Sequence, residues 1–146
     1  MNSLFKIALI SVAVVFIAGI GSLYAGTAVQ DVIKMENKAY KEHTKGIVEF
    51  THKKHVVEYK DGCGDCHHDE KNKPLTNLKD GDNVQNCIEC HSKTDKKPKG
   101  KLSKKDALTF HHEAIHMNCQ GCHKAFNKKN NTKAAPVTCK KCHPKK

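Results

Sequence analysis

The sequence predicts a small, mostly irregular domain with a few short helices and a short two-stranded element, wrapped round groups other than its own side chains. Two observations lead to this fold class. First, beyond residue 26 the aromatic side chains are Tyr40, Phe50, Tyr59, Phe110 and Phe126 alone, and the 146 residues contain no Trp. Large aliphatics are sparse and interleaved with lysines, so side chains alone bury too little apolar surface to offset the cost of ordering the chain. Second, the eight cysteines form four C-x-x-C-H motifs and nothing else. These are Cys63-Gly64-Asp65-Cys66-His67, Cys87-Ile88-Glu89-Cys90-His91, Cys119-Gln120-Gly121-Cys122-His123 and Cys139-Lys140-Lys141-Cys142-His143. Their uneven spacing marks a recurring functional unit and not the repeat of a solenoid.

Residues 1–26 differ from the rest. Lys6 is their only charge, and Ile7 to Ile20 is almost wholly apolar. The segment reads as a secretory signal with a small-residue cleavage site near Ala25 or Ala28. An uncleaved membrane anchor is the competing reading, because Leu4 to Ala25 is long enough to cross a bilayer. Both readings place residues 27–146, one domain, outside the cytoplasm and in the periplasm.

Gln30 to Gly46 is polar and mixed, an arm or a short helix, and His43 within it reads as an exposed histidine. Ile47 to Phe50 predicts a short extended stretch leading into His52, and Val56-Val57 a second one. Pro74, Gly81 and several Asn and Asp residues mark 72–86 as loop, and 92–105 is a lysine-rich loop carrying Pro98 and Gly100. Ser103 as N-cap and Asp106 in the first turn predict a helix running to about Met117. Leu108, His112, Ile115 and His116 share one face of it. Residues 126–137 form a lysine- and asparagine-rich connector that ends in Pro136 just before the last motif.

A single C-x-x-C pair fits a zinc knuckle, a redox dithiol or a disulfide. A histidine directly after every second cysteine fits none of these. It fits covalent haem attachment: the two thiols form thioethers with the haem vinyl groups, and the histidine becomes an axial ligand of the iron. Cys63, Cys66, Cys87, Cys90, Cys119, Cys122, Cys139 and Cys142 are therefore expected to hold four c-type haems, with His67, His91, His123 and His143 as proximal ligands. Seven further histidines remain: His43, His52, His55, His68, His111, His112 and His116. Four of them would close every iron, and in a chain so poor in other iron ligands they favour bis-histidine ligation. His112-Glu113-Ala114-Ile115-His116 also matches the zinc-protease pattern H-E-x-x-H. A protease needs a cleft and a body to support it, and this chain lacks the length and the apolar residues for both.

Two imidazoles per iron leave no open coordination position. The expected activity is one-electron transfer at low potential, not catalysis. The main rival is a terminal reductase of metal ions or small oxyanions, which needs an iron lacking its distal histidine. A multi-zinc binding module is the other rival, and a visible absorption spectrum separates it at once. The formal net charge is +11, carried by Lys without any Arg. Export separates the chain from nucleic acid, and planar phosphate recognition favours Arg. The lysines read as a solvated face that also steers acidic protein partners.

Phe50-x-His52-x-x-His55 followed by Cys63-x-x-Cys66-His67-His68 reproduces the opening pattern of the tetrahaem cytochrome c3 family, class III c-type cytochromes, which the chain resembles over about residues 47–146. The resemblance implies His55 opposite His67 at the first haem, His68 opposite His91 at the second, and His52 opposite His123 at the third. The fourth distal ligand, opposite His143, comes from the segment before the third motif, with His116 ahead of His112 and His111 last. Phe50 resembles the family's aromatic packed between the first and third haems. The family also implies a periplasmic hydrogenase and membrane-bound redox complexes as partners, and propionate protonation coupled to reduction. Many members have four residues between the cysteines of the second and fourth sites, where this chain has two, which leaves subgroup and partner open.

Overall fold

The computed structural model describes residues 30–146, and the leader expected over residues 1–26 lies outside them. The domain opens with a two-stranded antiparallel element, β1 (Ile33–Lys34) and β2 (Glu49–Phe50), with Ile33 opposite Phe50 and Lys34 opposite Glu49. The Met35 amide donates to the Val48 carbonyl at 2.9 Å, and the residues between form a loop in place of the short helix that was one reading of this arm.

Helix α1 (His52–Val57) follows directly and includes Val56 and Val57, so the second extended stretch expected there is absent. The reason is local. The His55 amide donates to the Thr51 carbonyl and the Glu58 amide to the Lys54 carbonyl, so the backbone groups that a strand would offer a neighbour are used within the turn.

Three of the four motifs are single helical turns: α2 (Cys63–Cys66), α3 (Cys87–Cys90) and, at the end of the chain, α6 (Cys139–Cys142). Between α3 and α6 lie α4 (Lys104–Leu108) and the long α5 (His111–Lys129), which carries the third motif. Ser103 caps α4 as expected, its Oγ accepting from the Asp106 amide at 3.1 Å. The helix expected from there to Met117 is instead broken at Thr109 and Phe110. Lys93 causes the break: its amide donates to the Thr109 carbonyl, and its carbonyl accepts from the His111 amide. That short bridge holds Phe110 extended, at φ −88° and ψ 121°. The chain re-enters helix at His111 and runs past Met117, because the C-x-x-C-H turn is itself helical and continues α5 in line.

Side chains build almost no core. Among the described residues Phe110 (7% exposed) and Ala114 (8%) are the only buried apolar side chains, with His111 (7%) beside them. The Nζ of Lys93 sits 5.2 Å above the Phe110 ring. No helix among the described residues is long and apolar enough to cross a membrane. A second close contact is made by backbone. Gly46 lies so near Pro144 that a Cβ there would overlap the Pro144 carbonyl, which brings the end of the β1–β2 loop against the last motif.

With so small a buried set against an ordering cost of roughly 1–2 kcal/mol per residue, the polypeptide made without haem attachment is expected to lack a cooperative fold. Circular dichroism and proton NMR of that apoprotein check this: a sharp thermal transition with dispersed amide resonances would refute it.

Candidate metal centre

A C-x-x-C-H sequence in one helical turn places the two sulfurs, at i and i+3, and the histidine, at i+4, on one side of the chain. In each turn the histidine amide donates back to the first cysteine carbonyl: His67 to Cys63 at 2.8 Å, His91 to Cys87 at 2.9 Å, His143 to Cys139 at 2.8 Å. The turns also gather. Burial pushes the Cys66 thiol up to about 11, and the neighbouring Cys119 adds to this. Burial raises Cys119 as well, with Cys142 and Cys87 next among the causes. Cys119 of the third motif is therefore near thiols from all three of the others.

Each proximal histidine faces a second imidazole. Ring centroids lie 6.4 Å apart for His52 and His67, 5.8 Å for His68 and His91, 6.2 Å for His55 and His123, and 6.1 Å for His116 and His143. A metal–imidazole bond of about 2.0 Å, plus roughly 1.1 Å from nitrogen to ring centre, would put the centroids of two imidazoles on opposite sides of one metal about 6.2 Å apart. All four pairs are thus spaced to hold one iron each, and four thiol pairs stand beside them to fix four macrocycles. The donor set fits four covalent c-type haems.

The partners of His52 and His55 are exchanged relative to the expectation. His52 faces His67 of the first motif, and His55 faces His123 of the third. The cause is the direction of α1. His52 opens the helix, while the His55 ring turns back along it, Nδ1 bonded to the Thr51 carbonyl at 2.9 Å, which sends its other nitrogen toward α5. Phe50 packs on both rings, with centroids 4.7 Å from His55 and 5.8 Å from His52. It therefore touches the histidines that face the first and third motifs together.

Backbone carbonyls orient most of these imidazoles. Nδ1 of His68 bonds the Asp69 carbonyl at 2.7 Å, His123 that of Pro136 at 2.7 Å, and His143 that of Gly46 at 2.8 Å, while His91 bonds that of Leu108. A carbonyl only accepts, so Nδ1 carries the hydrogen and Nε2 keeps its lone pair for metal. Burial lowers the pKa of His67, with His52 the next cause, and that of His116, with His143 next, keeping both in the neutral form that ligates.

The other histidines have different surroundings, although His112, one turn before His116 on α5, has its ring 6.4 Å from that ligand candidate. His43 lies against Tyr40, with ring centroids 5.3 Å apart. His111 is buried with its Nδ1 2.9 Å from the Tyr40 hydroxyl. The His112 Nε2 is 3.5 Å from Glu113, which also pairs with Lys97 at 3.1 Å. The H-E-x-x-H pattern is thus divided, since His116 faces His143. Among the described residues no third His, Cys, Asp or Glu joins its histidines in a metal-ion site.

Sequence reasoning missed the residues that hold the ligands. The carbonyls of Thr51, Asp69, Leu108, Pro136 and Gly46 leave no trace in side-chain identity. Asn127 is also new: its amide donates to the Ala135 carbonyl at 2.9 Å and its oxygen accepts from the Ala135 amide at 3.0 Å, clamping the loop that presents Pro136. An Asn before a loop of Asn and Lys carried no pattern that would have singled it out.

Two spectroscopic outcomes are expected of the holoprotein. His116→Ala should leave one haem of four high-spin, whereas His112→Ala should leave all four low-spin; the reverse result would move the ligand by one turn of α5. The facing ring planes meet at 65°, 68° and 74° at the first, second and fourth sites but at 26° at the third. Near-parallel imidazoles give a rhombic low-spin ferric signal and near-perpendicular ones a signal of larger maximum g. Electron paramagnetic resonance should therefore show one rhombic component, lost in His55→Met.

Comparison with known families agrees with this geometry. The family model described as the class III cytochrome c family matches residues 28–143. Neither the curated proteins nor the solved structures contain a match to the chain. With four thiol pairs, four facing imidazole pairs and a family match over most of its length, the chain belongs to the class III cytochromes c, a family of multihaem electron carriers.

Proposed function

We propose that this protein is a low-potential periplasmic electron carrier and not an enzyme. It would shuttle electrons between acidic redox proteins: a hydrogenase-like donor and membrane-bound redox complexes. The observation that carries this reading is the second imidazole opposite each proximal histidine. When bound, each haem supplies a one-electron iron couple. The residues determine what else can happen there. Two imidazoles per site exclude water and small substrates from the metal, which a reductase would have to admit. Neutral nitrogen donors hardened by carbonyl hydrogen bonds favour the ferric state and hence a low potential. Export rests on the apolar leader and on the periplasmic habit of the family.

The fourth site is the expected place of contact with partners. After Glu113 the chain contains no acidic residue. Lys128, Lys129, Lys133, Lys140, Lys141, Lys145 and Lys146 are all exposed, and Lys141 Nζ reaches the Lys133 carbonyl at 3.2 Å, which joins the connector to the last motif. An electropositive face around one haem edge speeds encounter with an acidic partner without needing tight binding.

Stopped-flow reduction by an acidic redox protein tests this. The wild-type rate should fall roughly tenfold or more as salt rises from low to physiological, where the Debye length is about 8 Å. Lys140, Lys141, Lys145 and Lys146 changed together to Gln should lose most of the low-salt rate. Lys96, Lys99, Lys101 and Lys104 changed to Gln should lose little; Lys97 is spared because it is paired with Glu113. Equal losses in the two sets would assign the steering to net charge and remove the special claim of the fourth site. Carbon monoxide altering the spectrum of the reduced protein would refute the carrier reading itself.

A further inference from the structure

Hydrogen bonding to the eight facing imidazoles is uneven, and the unevenness sorts by site. At the second site both rings bond carbonyls, His68 to Asp69 and His91 to Leu108. The third site also has two such bonds, His55 to Thr51 and His123 to Pro136. At the fourth site His143 bonds Gly46, and among the described residues no carbonyl accepts from His116. At the first site none accepts from His67 either, and Nδ1 of His52 is buried with no partner among the described residues.

We propose that the first site, His52 with His67, holds the haem of highest reduction potential in this chain, and that backbone carbonyls set the order, with the fourth site next and the second and third last. The proposal rests on the four-haem reading above and goes beyond it, since neither the motifs nor the family match ranks the sites.

The physical chain is short. A carbonyl accepting from Nδ1–H draws the hydrogen toward itself and makes the imidazole a stronger donor through Nε2. A stronger donor stabilises ferric over ferrous iron, so the potential falls. The His52 ring receives no such help. Asp61 and Asp65 oppose a high potential here, being close enough to Cys66 to add to the rise in its pKa behind burial and Cys119. Asp65 is exposed and its Oδ2 already accepts from the Gly62 amide at 2.7 Å, so water and that bond screen much of its charge. The arrangement has a consequence for α1. Its two histidines, three residues apart, serve the sites at opposite ends of the order, so the largest difference in potential falls between neighbours tied to one helical turn and to Phe50.

The test is a redox titration of the holoprotein with dithionite, a one-electron reductant in this use. NMR follows the titration, with haem methyl resonances assigned to each site and histidine Nδ1–H exchange measured in parallel. The first haem should be half-reduced at the most positive potential; its being reduced second or later overturns the proposal. In Asn127→Ala the loop presenting Pro136 is released. His123 Nδ1–H should exchange faster, and the third haem, still low-spin, should shift to more positive potential while the first stays in place. Should the clamp hold without Asn127, Gly46→Ala does the same at the fourth site, because its Cβ would displace the carbonyl that His143 bonds. Faster Nδ1–H exchange with no positive shift at that haem overturns the proposal. Four low-spin haems reduced in a different order would remove this inference and leave the carrier reading intact. High-spin iron in the unmodified protein would remove the carrier reading.

Discussion

An imidazole can face an iron only if its ring is held edge-on and its donor nitrogen is free, and at most of the facing rings in this chain the hold is a backbone carbonyl on Nδ1. Five of the facing rings are held this way, through the carbonyls of Thr51, Asp69, Leu108, Pro136 and Gly46. The constraint shapes the fold around it. α4 ends at Leu108 so that its carbonyl meets His91, and the connector after α5 is folded back by Asn127 so that Pro136 meets His123. The β1–β2 loop returns along the last motif so that Gly46 meets His143, which only a residue without a side chain allows.

Such a chain has no need of a side-chain core. Phe110, Ala114 and His111 are packed where α4, α5 and the Lys93 bridge meet, and that small knot sets the angle at which α5 leaves. The Tyr40 hydroxyl on His111 joins the N-terminal loop to the same knot. Local geometry supplies the rest, as helical turns that each place two sulfurs and an imidazole on one side of the chain. The first and third sites form one unit, because α1 carries a ligand of each and Phe50 lies on both.

Lysine has two parts in this arrangement. Lys97 is engaged with Glu113, one turn before His116, and Lys93 covers the Phe110 ring, so these two belong to the packing. The lysines after Glu113 have no acidic neighbour in sequence and stand in water, which leaves their field available to a partner. Composition alone reports one total of charge and cannot separate these uses.

The sequence by itself determined the cofactor class and the number of sites, and it pointed to the histidine after each motif as the proximal ligand. The reason is that C-x-x-C-H completes its geometry within a single helical turn and asks nothing of the rest of the chain. The short strand before His52 and the Ser103 cap were legible for the same reason, since each depends on a few neighbouring residues. The tertiary structure alone decided which histidine faces which. His52 and His55 are alike in type and only three residues apart, and their partners lie 15 and 68 positions away from them in the chain. The Thr51 carbonyl and the path of α5 made that choice. The break at Phe110 was equally invisible, because it depends on Lys93 arriving from another loop. So were the roles of Gly46 and Asn127: they act through a missing Cβ and through a distant backbone, and neither follows from the residues beside them in sequence.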